Sequence, residues 1–372
     1  MKIGVPKETA EGERRVALVP DVVKSLKRNE KLDVVVESGA GDAAGHPDSQ
    51  YTDAGAEIVA DGSAWDADVV LHVAVPSATD IGRLRSGQTF ISHLNPWVAA
   101  ETNKALAAAG VTAFGMEAIP RTTRAQAMDA LSSQAAAAGY AATLIGARTS
   151  GRFFGMMTTA AGTVPPAKVL VLGAGVAGLQ AVATAKRLGA VVTGFDIRRA
   201  AWEQIASLGG RPLELDFIPD AEGEGGYARP LTEEENAQVR DALRDNAAKQ
   251  DIILTTAAIP GRPAPLLVTA EAVRGMAPGS VIVDLAAETG GNCELTEAGE
   301  TVEEGGVKVI GPRNLASEMP VPASQLYAKN LENLLGLMVT DEGELHLDWE
   351  DDILAAAVIT EGGNVKNERA AK

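Results

Sequence analysis

The segment VLVLGAGVAGLQAVATAKRLGAVVTGFD, residues 169–196, decides how the second half of the chain folds. Its first apolar run leads into three closely spaced glycines, Gly173, Gly175 and Gly178, and its last apolar run ends at Asp196. The alanine-rich stretch between the two runs is composed largely of good helix formers. This order predicts a β-strand, a tight glycine turn, an α-helix and a second strand parallel to the first.

The spacing of these glycines is typical of a loop that binds a dinucleotide. Glycine permits the tight turn and lets a pyrophosphate approach the backbone N–H groups at the N-terminus of the helix. Asp196 stands where a carboxylate accepts both ribose hydroxyls and repels a 2′-phosphate, which favours NAD over NADP. The alternative is a purely structural glycine turn. We predict an NAD(H) site formed by Gly173, Gly175, Val176, Gly178, Asp196, Ile197 and Arg198.

Short β-branched runs alternate with helical stretches along the rest of the chain. The expected strands of the first part are KIGV, LDVVVE, DVVLHVA, QTFIS and VTAFG, and those of the second part are AKVLVLG, VVTGFD, DIILTT, GSVIVDLA and VKVIG. Such alternation predicts parallel sheets with helices on both faces. The predicted fold class is therefore α/β, with two Rossmann-like, doubly wound parallel-sheet domains joined by long helices.

We place an N-terminal Rossmann-like domain at residues 1–130 plus 315–372, with a returning C-terminal helix, and the NAD(H)-binding Rossmann domain at residues 131–314. One long helix is expected from Ala125 to about Thr149, and another in LYAKNLENLLGLM near the end. The second helix has an apolar face suited to a core or to a dimer contact. That face comprises Tyr327, Leu331, Leu334, Leu335 and Met338.

The composition of the chain excludes several classes of protein. A formal net charge of −17 over 372 residues argues against a nucleic-acid surface, which needs clustered Lys and Arg. The four histidines are scattered singly, so no metal site is expected, and the one cysteine, Cys293, indicates a reducing compartment. No apolar stretch is long enough to cross a bilayer, so we expect a soluble chain without membrane insertion. The acidic run at residues 341–352 is expected to be a solvated face.

Five segments closely resemble the NAD(H)-binding component of the proton-translocating NAD(P)+ transhydrogenase. They are VPKETAEGERRVALVP, MEAIPRTTRAQAMDALSSQAAAAGY, TTAAGTVPPAKVLVLGAGVAGLQAVATAKRLGA, TTAAIPGRPAP and VIVDLAAETGGNC, and the resemblance extends over nearly the whole chain. The resemblance implies direct hydride transfer between NAD(H) on this chain and NADP(H) on a partner subunit, coupled to proton translocation. It implies an oxidoreductase of the Si–Re, AB-specific type that is active only with its partners.

The partners implied by the resemblance are a second copy of this chain, in a homodimer, and the NADP(H)-binding and membrane-spanning subunits. Because no transmembrane segment follows residue 340, the hydrophobic parts are expected on separate chains. The expected location of this chain is cytoplasmic, peripheral on the inner face of the cell membrane.

Two arginines, Arg121 and Arg124, precede a predicted helix start, where the helix dipole disfavours cations. In the family, the loop matching RTTRAQAMD presents side chains to the two nicotinamides, and here these are Arg121, Gln126 and Asp129, with Ser132 close behind. By this resemblance, Gln126 holds a carboxamide, Arg121 reaches a phosphate or the partner's ring, and Asp129 fixes Arg121. The alternative is that Asp129 pairs with an arginine on its own helix.

The segment FIPDAEGEGGYARPLTEEE, residues 217–235, is rich in glycine and acid, as in a lid over a site or in a disordered insertion. By resemblance, three of its residues close over NAD: Gly226, Tyr227 and Ala228. The stretch TTAAIPGRP follows a strand end, so its backbone is expected to line the nicotinamide side of the cofactor. The residues concerned are Thr256, Ala257 and Ala258.

Alanine dehydrogenase is a relative of this family and shares its architecture. Arg15 matches the arginine that holds the substrate carboxylate in that enzyme, but the catalytic lysine falls at Ala74 and the catalytic histidine near Asn95. The loss of both groups would exclude amino-acid chemistry. An alanine-dehydrogenase-like NAD oxidoreductase is nevertheless one alternative, and a non-catalytic NAD-sensing module is another.

Overall fold

The computed structural model describes residues 1–215, 223, 229, 231–258, 261–367 and 370. Within these, the chain divides into two units, residues 1–134 with 317–372 and residues 135–316. Each unit contains one large β-sheet, and a separate two-stranded hairpin lies within the second unit. The first unit therefore contains both ends of the chain.

The β-strands of the described residues are short, most of them between three and five residues. They are Lys2–Val5 (β1), Asp33–Glu37 (β2), Glu57–Val59 (β3), Val69–Leu71 (β4), Thr89–Ser92 (β5), Thr112–Gly115 (β6), Met157–Thr159 (β7), Gly162–Val164 (β8), Lys168–Leu172 (β9), Val191–Phe195 (β10), Arg211–Pro212 (β11), Ile252–Thr255 (β12), Val281–Asp284 (β13), Thr301–Glu304 (β14), Val307–Ile310 (β15), Val358–Glu361 (β16) and Asn364–Val365 (β17).

The two longest α-helices of the described residues are Ala130–Thr149 and Pro320–Met338. In chain order, the α-helices are Pro20–Leu26 (α1), Asp48–Asp53 (α2), Ala78–Ile81 (α3), Ala100–Ala108 (α4), Ala130–Thr149 (α5), Val176–Arg187 (α6), Ala200–Ser207 (α7), Glu233–Ala247 (α8), Ala270–Arg274 (α9), Pro320–Met338 (α10) and Asp352–Ala357 (α11). Short 3₁₀ turns lie at Asp42–Ala44, Ser63–Asp66, Met116–Ala118, Gln126–Met128, Ala287–Thr289 and Leu315–Glu318.

The sheet of the first unit has the strand order β17-β16-β6-β5-β4-β1-β2-β3. The strands from β6 to β3 are parallel, whereas β16 pairs antiparallel with β6, and β17 pairs antiparallel with β16. In β2, Val34 and Val36 are buried in one core cluster and Val35 in another. A strand that is apolar on both faces belongs in a sheet that is covered on both sides.

The sheet of the second unit has the order β11-β10-β9-β12-β13-β15-β14, with β14 antiparallel and the other strands parallel. In both sheets the chain starts near the centre, adds two strands on one side and then crosses to the other side of the first strand. This is the 3-2-1-4-5 order of a doubly wound Rossmann fold. The predicted α/β fold class is confirmed.

The helix predicted from Ala125 begins later than expected. Residues 126–128 form one 3₁₀ turn, and Asp129, with a ψ of 86°, separates this turn from α5, which starts at Ala130. A non-helical ψ is the usual backbone geometry at a helix N-cap. The predicted helix is therefore wrong over residues 125–129.

The apolar face of α10 lies in the core of the first unit. Each of its five side chains is at most 1% exposed and packs in the same cluster as strands β1 and β2. The hydroxyl of Tyr327 also donates to the carbonyl of His72 at 2.8 Å. Of the two interpretations of this face, core and dimer contact, the structure supports the core.

Candidate functional site

The carboxyl ends of β9 and β12 form the switch point of the second sheet, where the chain leaves in opposite directions. Gly173 follows β9 and Thr256 follows β12, and the Thr256 hydroxyl donates to the Gly173 carbonyl at 2.9 Å. The φ of 94° at Gly173 lies in the left-handed region that favours glycine. Since open α/β sheets bind ligands in this crevice, the glycine turn lies where a dinucleotide is expected.

The other two glycines of the turn have different surroundings. A Cβ added to Gly178 would lie 1.9 Å from the carbonyl oxygen of Gly173, and because that oxygen belongs to the backbone, no rotamer relieves the clash. A Cβ added to Gly175 would meet no atom of the described residues within 4 Å. Gly178 is therefore required by the packing of α6 against the turn, whereas Gly175 leaves space for a ligand beside the backbone.

The N-terminus of α6 has the charge distribution that an anion needs. Among the residues that the structure describes, no side chain caps this end. The first turn of the helix has no acidic residue, and its basic residues, Lys186 and Arg187, lie in the last turn. The first N–H groups of a helix have no partner within the helix, and its dipole adds partial positive charge there. Together with the space beside Gly175, this end of the helix fits a pyrophosphate.

Asp196 follows β10 and lies beside the glycine turn, with 7% of its surface exposed. Its Oδ2 accepts from the N–H of Ala174 at 2.7 Å, and its Oδ1 accepts from the N–H of Arg198 at 2.9 Å. The guanidinium of Arg198 donates from Nε to Oδ1 at 2.9 Å and from Nη2 to Oδ2 at 2.8 Å. Two predicted cofactor residues thus form an ion pair at the turn, and Ile197, half-buried, lies between them.

The loop after β12 is held by Asn292, which the sequence predictions missed. Asn292 Oδ1 accepts from the N–H of Ala257 at 3.0 Å, and its Nδ2 donates to the carbonyl of Ala257 at 2.8 Å and to that of Pro265 at 2.8 Å. The N–H of Asn292 donates to Oδ2 of Asp284 at 2.7 Å, and both residues are fully buried. The backbone next to the exposed Ala258 is therefore fixed from the interior.

The predicted lid at residues 217–235 lies mostly outside the described residues, and so do Gly226, Tyr227 and Ala228. At its end, Thr232 caps α8, and Arg229 pairs with Glu235 at 2.8 Å. The Arg229 guanidinium lowers the pKa of Glu235 to about 2. An ionised Glu235 in the first turn of α8 stabilises the start of that helix.

In the first unit, the loop of residues 121–129 has two buried side chains among several exposed ones. Ala125 and Met128 are buried in the core, whereas Arg121 and Gln126 are exposed. The buried residues fix the backbone of the loop, so its predicted site side chains are presented outward from a supported backbone.

Asn330, buried on α10, adds a second support for this loop. Its Nδ2 donates to the carbonyl of Ala127 at 2.9 Å, and its Oδ1 accepts from the hydroxyl of Ser133 at 2.7 Å. The carbonyl next to Gln126 is thus tied to one of the two long helices of the chain. Asn330 was not among the predicted site residues, because a lone amide within an apolar helix has no local signature.

Asp129 binds the start of the helix that follows it. Its Oδ1 accepts from the N–H of Ser132 at 2.9 Å, and its Oδ2 accepts from the Ser132 hydroxyl at 2.6 Å. These bonds cap α5, where an acidic side chain also interacts favourably with the helix dipole. The predicted contact with Arg121 and the alternative pairing with an arginine of the same helix both stay predictions.

Arg124 pairs with the acidic C-terminal segment. Its guanidinium donates to both oxygens of Asp351, at 2.7 and 2.9 Å, and also to Asp352. The Arg124 guanidinium lowers the pKa of Asp351 to about 2, and the same carboxylate caps α11. The acidic side chains of the run at 341–352 are exposed, as expected for a solvated face, except that of Asp351, which is 16% exposed. The pairing with Asp351 and Asp352 explains why a cation is tolerated before α5.

The corresponding switch point of the first sheet, between β1 and β4, holds a carboxylate instead of a glycine turn. Glu8 accepts from the N–H groups of Val73 at 2.5 Å and Ala74 at 3.3 Å, and lies 3.2 Å from Nε2 of His72. Burial raises the pKa of Glu8. The backbone donors at this crevice therefore already have a partner from the protein itself.

The positions that match the catalytic and substrate-binding residues of alanine dehydrogenase lie in the first unit. They are Arg15, Ala74 and Asn95. Arg15 is buried and donates to Glu13 from Nε at 2.8 Å and from Nη2 at 2.6 Å, and from Nη1 to Gln134 at 2.9 Å. The N–H of Asn95 donates to Glu117 at 3.0 Å. Neither the amide of Asn95 nor the methyl group of Ala74 can transfer a proton at neutral pH.

The portion of the chain that the structure describes has neither a cluster of metal-binding side chains nor a membrane-spanning helix. Within that portion, no group of three or more His, Cys, Asp or Glu side chains could hold a metal ion. None of the helices described above is both long and apolar enough to cross a membrane.

The chain matches two family models along almost its entire length. The model described as alanine dehydrogenase/PNT, N-terminal domain, matches residues 4–138, and the one described as alanine dehydrogenase/PNT, C-terminal domain, matches residues 142–368. Among solved structures, the transhydrogenase from Sinorhizobium meliloti is similar, with a TM-score of 0.87, 45% identity and coverage of 99% of both chains.

The chain is also similar in sequence to proteins of two kinds, transhydrogenase alpha subunits and alanine dehydrogenases. A protein of Rhodospirillum rubrum, named as the first part of an NAD(P) transhydrogenase subunit alpha, is 46% identical over 375 residues, which cover 98% of this chain and 97% of that protein. The alanine dehydrogenase of Bacillus subtilis (strain 168) is 31% identical over 383 residues, which cover 100% of this chain and 94% of that protein. The chain belongs to the alanine dehydrogenase/PNT family.

Proposed function

We propose that this chain binds NAD(H) in its second unit and exchanges hydride directly with NADP(H) held by a partner polypeptide. The observation that carries the proposal is the switch point of the second sheet, where the glycine turn, the uncapped start of α6 and Asp196 lie together. The 46% identity to a protein named for a transhydrogenase alpha subunit supports the same activity.

In this proposal, each element of the second unit has a separate task. The N–H groups at the start of α6, at Gly175 and Val176, bind the pyrophosphate. Asp196 accepts hydrogen bonds from the ribose hydroxyls. The backbone of Thr256, Ala257 and Ala258 lines the nicotinamide side of the cofactor. When bound, the nicotinamide supplies or takes up the hydride. Gly226, Tyr227 and Ala228 remain proposed as a closing segment over the site.

Hydride transfer between two nicotinamides needs positioning and not a protein acid or base. Holding two reactants in a productive geometry contributes roughly 7 to 11 kcal/mol toward lowering a barrier. We assign this task to Gln126, which offers a donor and an acceptor to a carboxamide, and to Arg121, which offers a cation. Asp129 and Ser132 support them indirectly, since they cap the helix that follows the loop.

The wider assignment includes partner subunits. The name of the Rhodospirillum rubrum relative describes only the first part of an alpha subunit, which supports an alpha component divided between polypeptides. We propose NADP(H)-binding and membrane-spanning partner subunits, AB-specific hydride transfer coupled to proton translocation, and a peripheral position of this chain at the cytoplasmic face of the membrane.

The proposed function is tested by mixing the purified chain with an NADP(H)-binding transhydrogenase subunit. We expect hydride transfer from NADH to NADP+ with both proteins present and none with either alone. Binding of NADH without any transfer in the mixture would favour an NAD-sensing module instead. Absence of NADH binding would refute the proposal altogether.

Alanine dehydrogenase activity is the second candidate, because the Bacillus subtilis enzyme matches the whole chain. The residues at the matched positions oppose it: Ala74 and Asn95 cannot act as a catalytic lysine and histidine, and Arg15 is already paired with Glu13. Steady production of NADH from alanine and NAD+ by the chain alone would support this candidate over the transhydrogenase.

Replacing Asp196 with alanine is expected to weaken NADH binding about 10-fold, because the ribose hydroxyls lose a charged acceptor. The difference between NADH and NADPH affinity should narrow, since the charge that repels a 2′-phosphate disappears. Titration of nicotinamide fluorescence measures both affinities. Asp251→Ala, which alters another carboxylate of the same unit, is the control. An unchanged NADH affinity in folded Asp196→Ala would show that Asp196 does not contact the ribose.

The proposed homodimer has a candidate contact in the second unit. Every residue of β7 and β8 is exposed, and within the described part of the chain these strands pair only with each other. Three neighbouring apolar side chains, Phe153, Met156 and Val164, are 53%, 67% and 46% exposed. Exposed apolar surface of this kind is typical of an association site.

Negative charges at and beside this hairpin should therefore dissociate the proposed dimer. We expect the double variant Met156→Glu, Val164→Glu to raise the dimer dissociation constant about 10-fold or more, because each carboxylate would be buried in the contact. Sedimentation equilibrium measures the change. Leu208→Glu places the same charge at another exposed apolar residue and should not affect assembly. A monomeric wild-type chain would rule out the proposed dimer.

A further inference from the structure

We infer that Arg198 is a displaceable cover on Asp196 and sets both the strength and the selectivity of nucleotide binding. The inference rests on the proposed NAD(H) site and concerns a step that this site needs before a ribose can bind. Its basis is the hydrogen-bond capacity of one carboxylate.

The carboxylate of Asp196 is saturated in the structure. A carboxylate offers about four acceptor positions, two on each oxygen. Oδ1 accepts from the backbone N–H and from Nε of Arg198, and Oδ2 accepts from the N–H of Ala174 and from Nη2 of Arg198. Four donors therefore occupy the four positions, and a ribose hydroxyl can donate to Asp196 only if one of them leaves.

The two backbone donors cannot leave without unfolding the turn. The N–H of Ala174 lies within the glycine turn, and the N–H of Arg198 lies two residues after Asp196 in the same loop. The guanidinium of Arg198 is different, because it belongs to a side chain that is 20% exposed. Its rotation into water breaks the bonds to Asp196 and a longer one from Nη2 to the Ala174 carbonyl, at 3.2 Å, without moving the backbone of the turn. Its departure frees one acceptor position on each carboxylate oxygen, two in all. The adenosine ribose of NAD(H) carries two hydroxyls, so each can donate to one freed position.

Charge gives this cover a second effect. While the guanidinium is paired, Asp196 carries little net charge toward a ligand. After displacement, the carboxylate is uncompensated and repels a 2′-phosphate, whereas the released guanidinium can attract the same phosphate. Arg198 thus opposes NADH binding by competing for Asp196 and favours NADPH by supplying a cation.

Removing the cover is therefore expected to have opposite effects on the two nucleotides. Arg198→Ala should bind NADH about 3- to 10-fold more tightly, since no ion pair has to be broken. The same variant should bind NADPH no more tightly than the wild type, so the preference for NADH widens. Arg198→Lys keeps the charge but cannot donate to both carboxylate oxygens in one plane. Its NADH affinity should therefore lie between those of the wild type and Arg198→Ala.

The experiment measures NADH and NADPH affinity by fluorescence titration for the wild type, Arg198→Ala, Arg198→Lys and Asp196→Ala. Arg199→Ala is the matched control, because it removes the neighbouring arginine and leaves the Asp196 carboxylate unchanged. In an Asp196→Ala background, Arg198→Ala should no longer tighten NADH binding, since the cover has nothing to compete for. A thermal unfolding scan of each variant confirms that it is folded.

Two results would overturn the inference while leaving the proposed function in place. If folded Arg198→Ala binds NADH more weakly, the guanidinium contacts the nucleotide itself. If the affinity of Arg198→Ala and the selectivity are both unchanged, no displacement is needed. By contrast, a wild-type chain that does not bind NADH, or an Asp196→Ala variant that binds it normally, would refute the proposed ribose site and the cover together.

Discussion

Replacing Gly178 with alanine is expected to abolish NADH binding and to destabilise the second unit. The added Cβ would lie 1.9 Å from the Gly173 carbonyl oxygen and 2.8 Å from the Thr256 hydroxyl, so α6 must move away from the turn. Overpacking that forces the backbone to shift typically costs about 1 to 3 kcal/mol, and an approach this close to a backbone oxygen places Gly178→Ala at the upper end, about 3 kcal/mol. For a domain of this size, that cost lowers the melting temperature by about 6 to 12 °C.

The loss of NADH affinity should exceed about 100-fold, because the N–H groups at the start of α6 no longer converge on the pyrophosphate. Hydrogen bonds to a charged group contribute about 1.5 to 3 kcal/mol each, and losing two of them reaches this value. Equilibrium NADH titration and a thermal unfolding scan of the same sample measure both effects. NADH affinity within about 3-fold of the wild type would contradict the assignment of this turn to the pyrophosphate.

Gly175→Ala is the matched control for this prediction. Its Cβ meets nothing within 4 Å in the described part of the chain, and the φ of −76° at Gly175 is accessible to alanine, so the melting temperature should not change. NADH affinity should still fall about 10-fold, because the methyl group occupies the space through which a pyrophosphate approaches the backbone. The two glycines thus separate a packing requirement from a ligand requirement within one turn.

The arrangement of both sheets follows from patterns that are local in the sequence. Buried parallel strands are apolar on both faces, and the runs that end at Val5, Leu172 and Thr255 all have this composition. Seven strands of the described residues were not predicted: β3, β7, β8, β11, β14, β16 and β17. Three of them show the physical reasons. Glu57–Val59 is a short, partly exposed edge strand. Val358–Glu361 depends on antiparallel pairing with β6, far away in the chain, and Asn364–Val365 in turn pairs with Val358–Glu361.

The candidate site was predictable only where its residues are close in sequence. The glycine spacing and the distance to Asp196 are read from one segment of 28 residues, 169–196, because a βαβ unit is a local structure. The cap formed by Asp129 also has a local signal, an acidic residue directly before an alanine-rich helix, which we interpreted instead as a partner of Arg121.

The supports of the site are not local, and no sequence pattern predicted them. Asn292 binds the backbone of Ala257, 35 residues away, and Asn330 binds that of Ala127, 203 residues away. Each is a single buried amide whose partner is a main-chain group, so neither partner leaves a trace in the identity of a side chain. Contacts of this kind become visible only when the fold has brought the two segments together.

Gln126→Ala is expected to slow hydride transfer to NADP+ about 10- to 100-fold while NADH affinity changes by no more than about 2-fold. The side chain of Gln126 is exposed, and its backbone is supported by buried Ala125 and Met128 and by the bond from Asn330 to Ala127. Truncation therefore removes the amide without moving the loop. An interaction that orients a reacting ring affects the transfer rate, whereas most binding energy comes from other contacts.

Single-turnover transfer in the reconstituted complex, measured beside an equilibrium NADH titration, separates these two quantities. Thr123→Ala is the matched control, since it truncates another exposed polar side chain of the same loop and should transfer hydride at the wild-type rate. Arg121→Ala should behave like Gln126→Ala if the cation also orients a nicotinamide. Equal transfer rates in Gln126→Ala, Thr123→Ala and the wild type would mean that the loop is fixed for stability alone. A selective loss at Gln126 would instead explain why α10 supports a loop whose side chains face solvent.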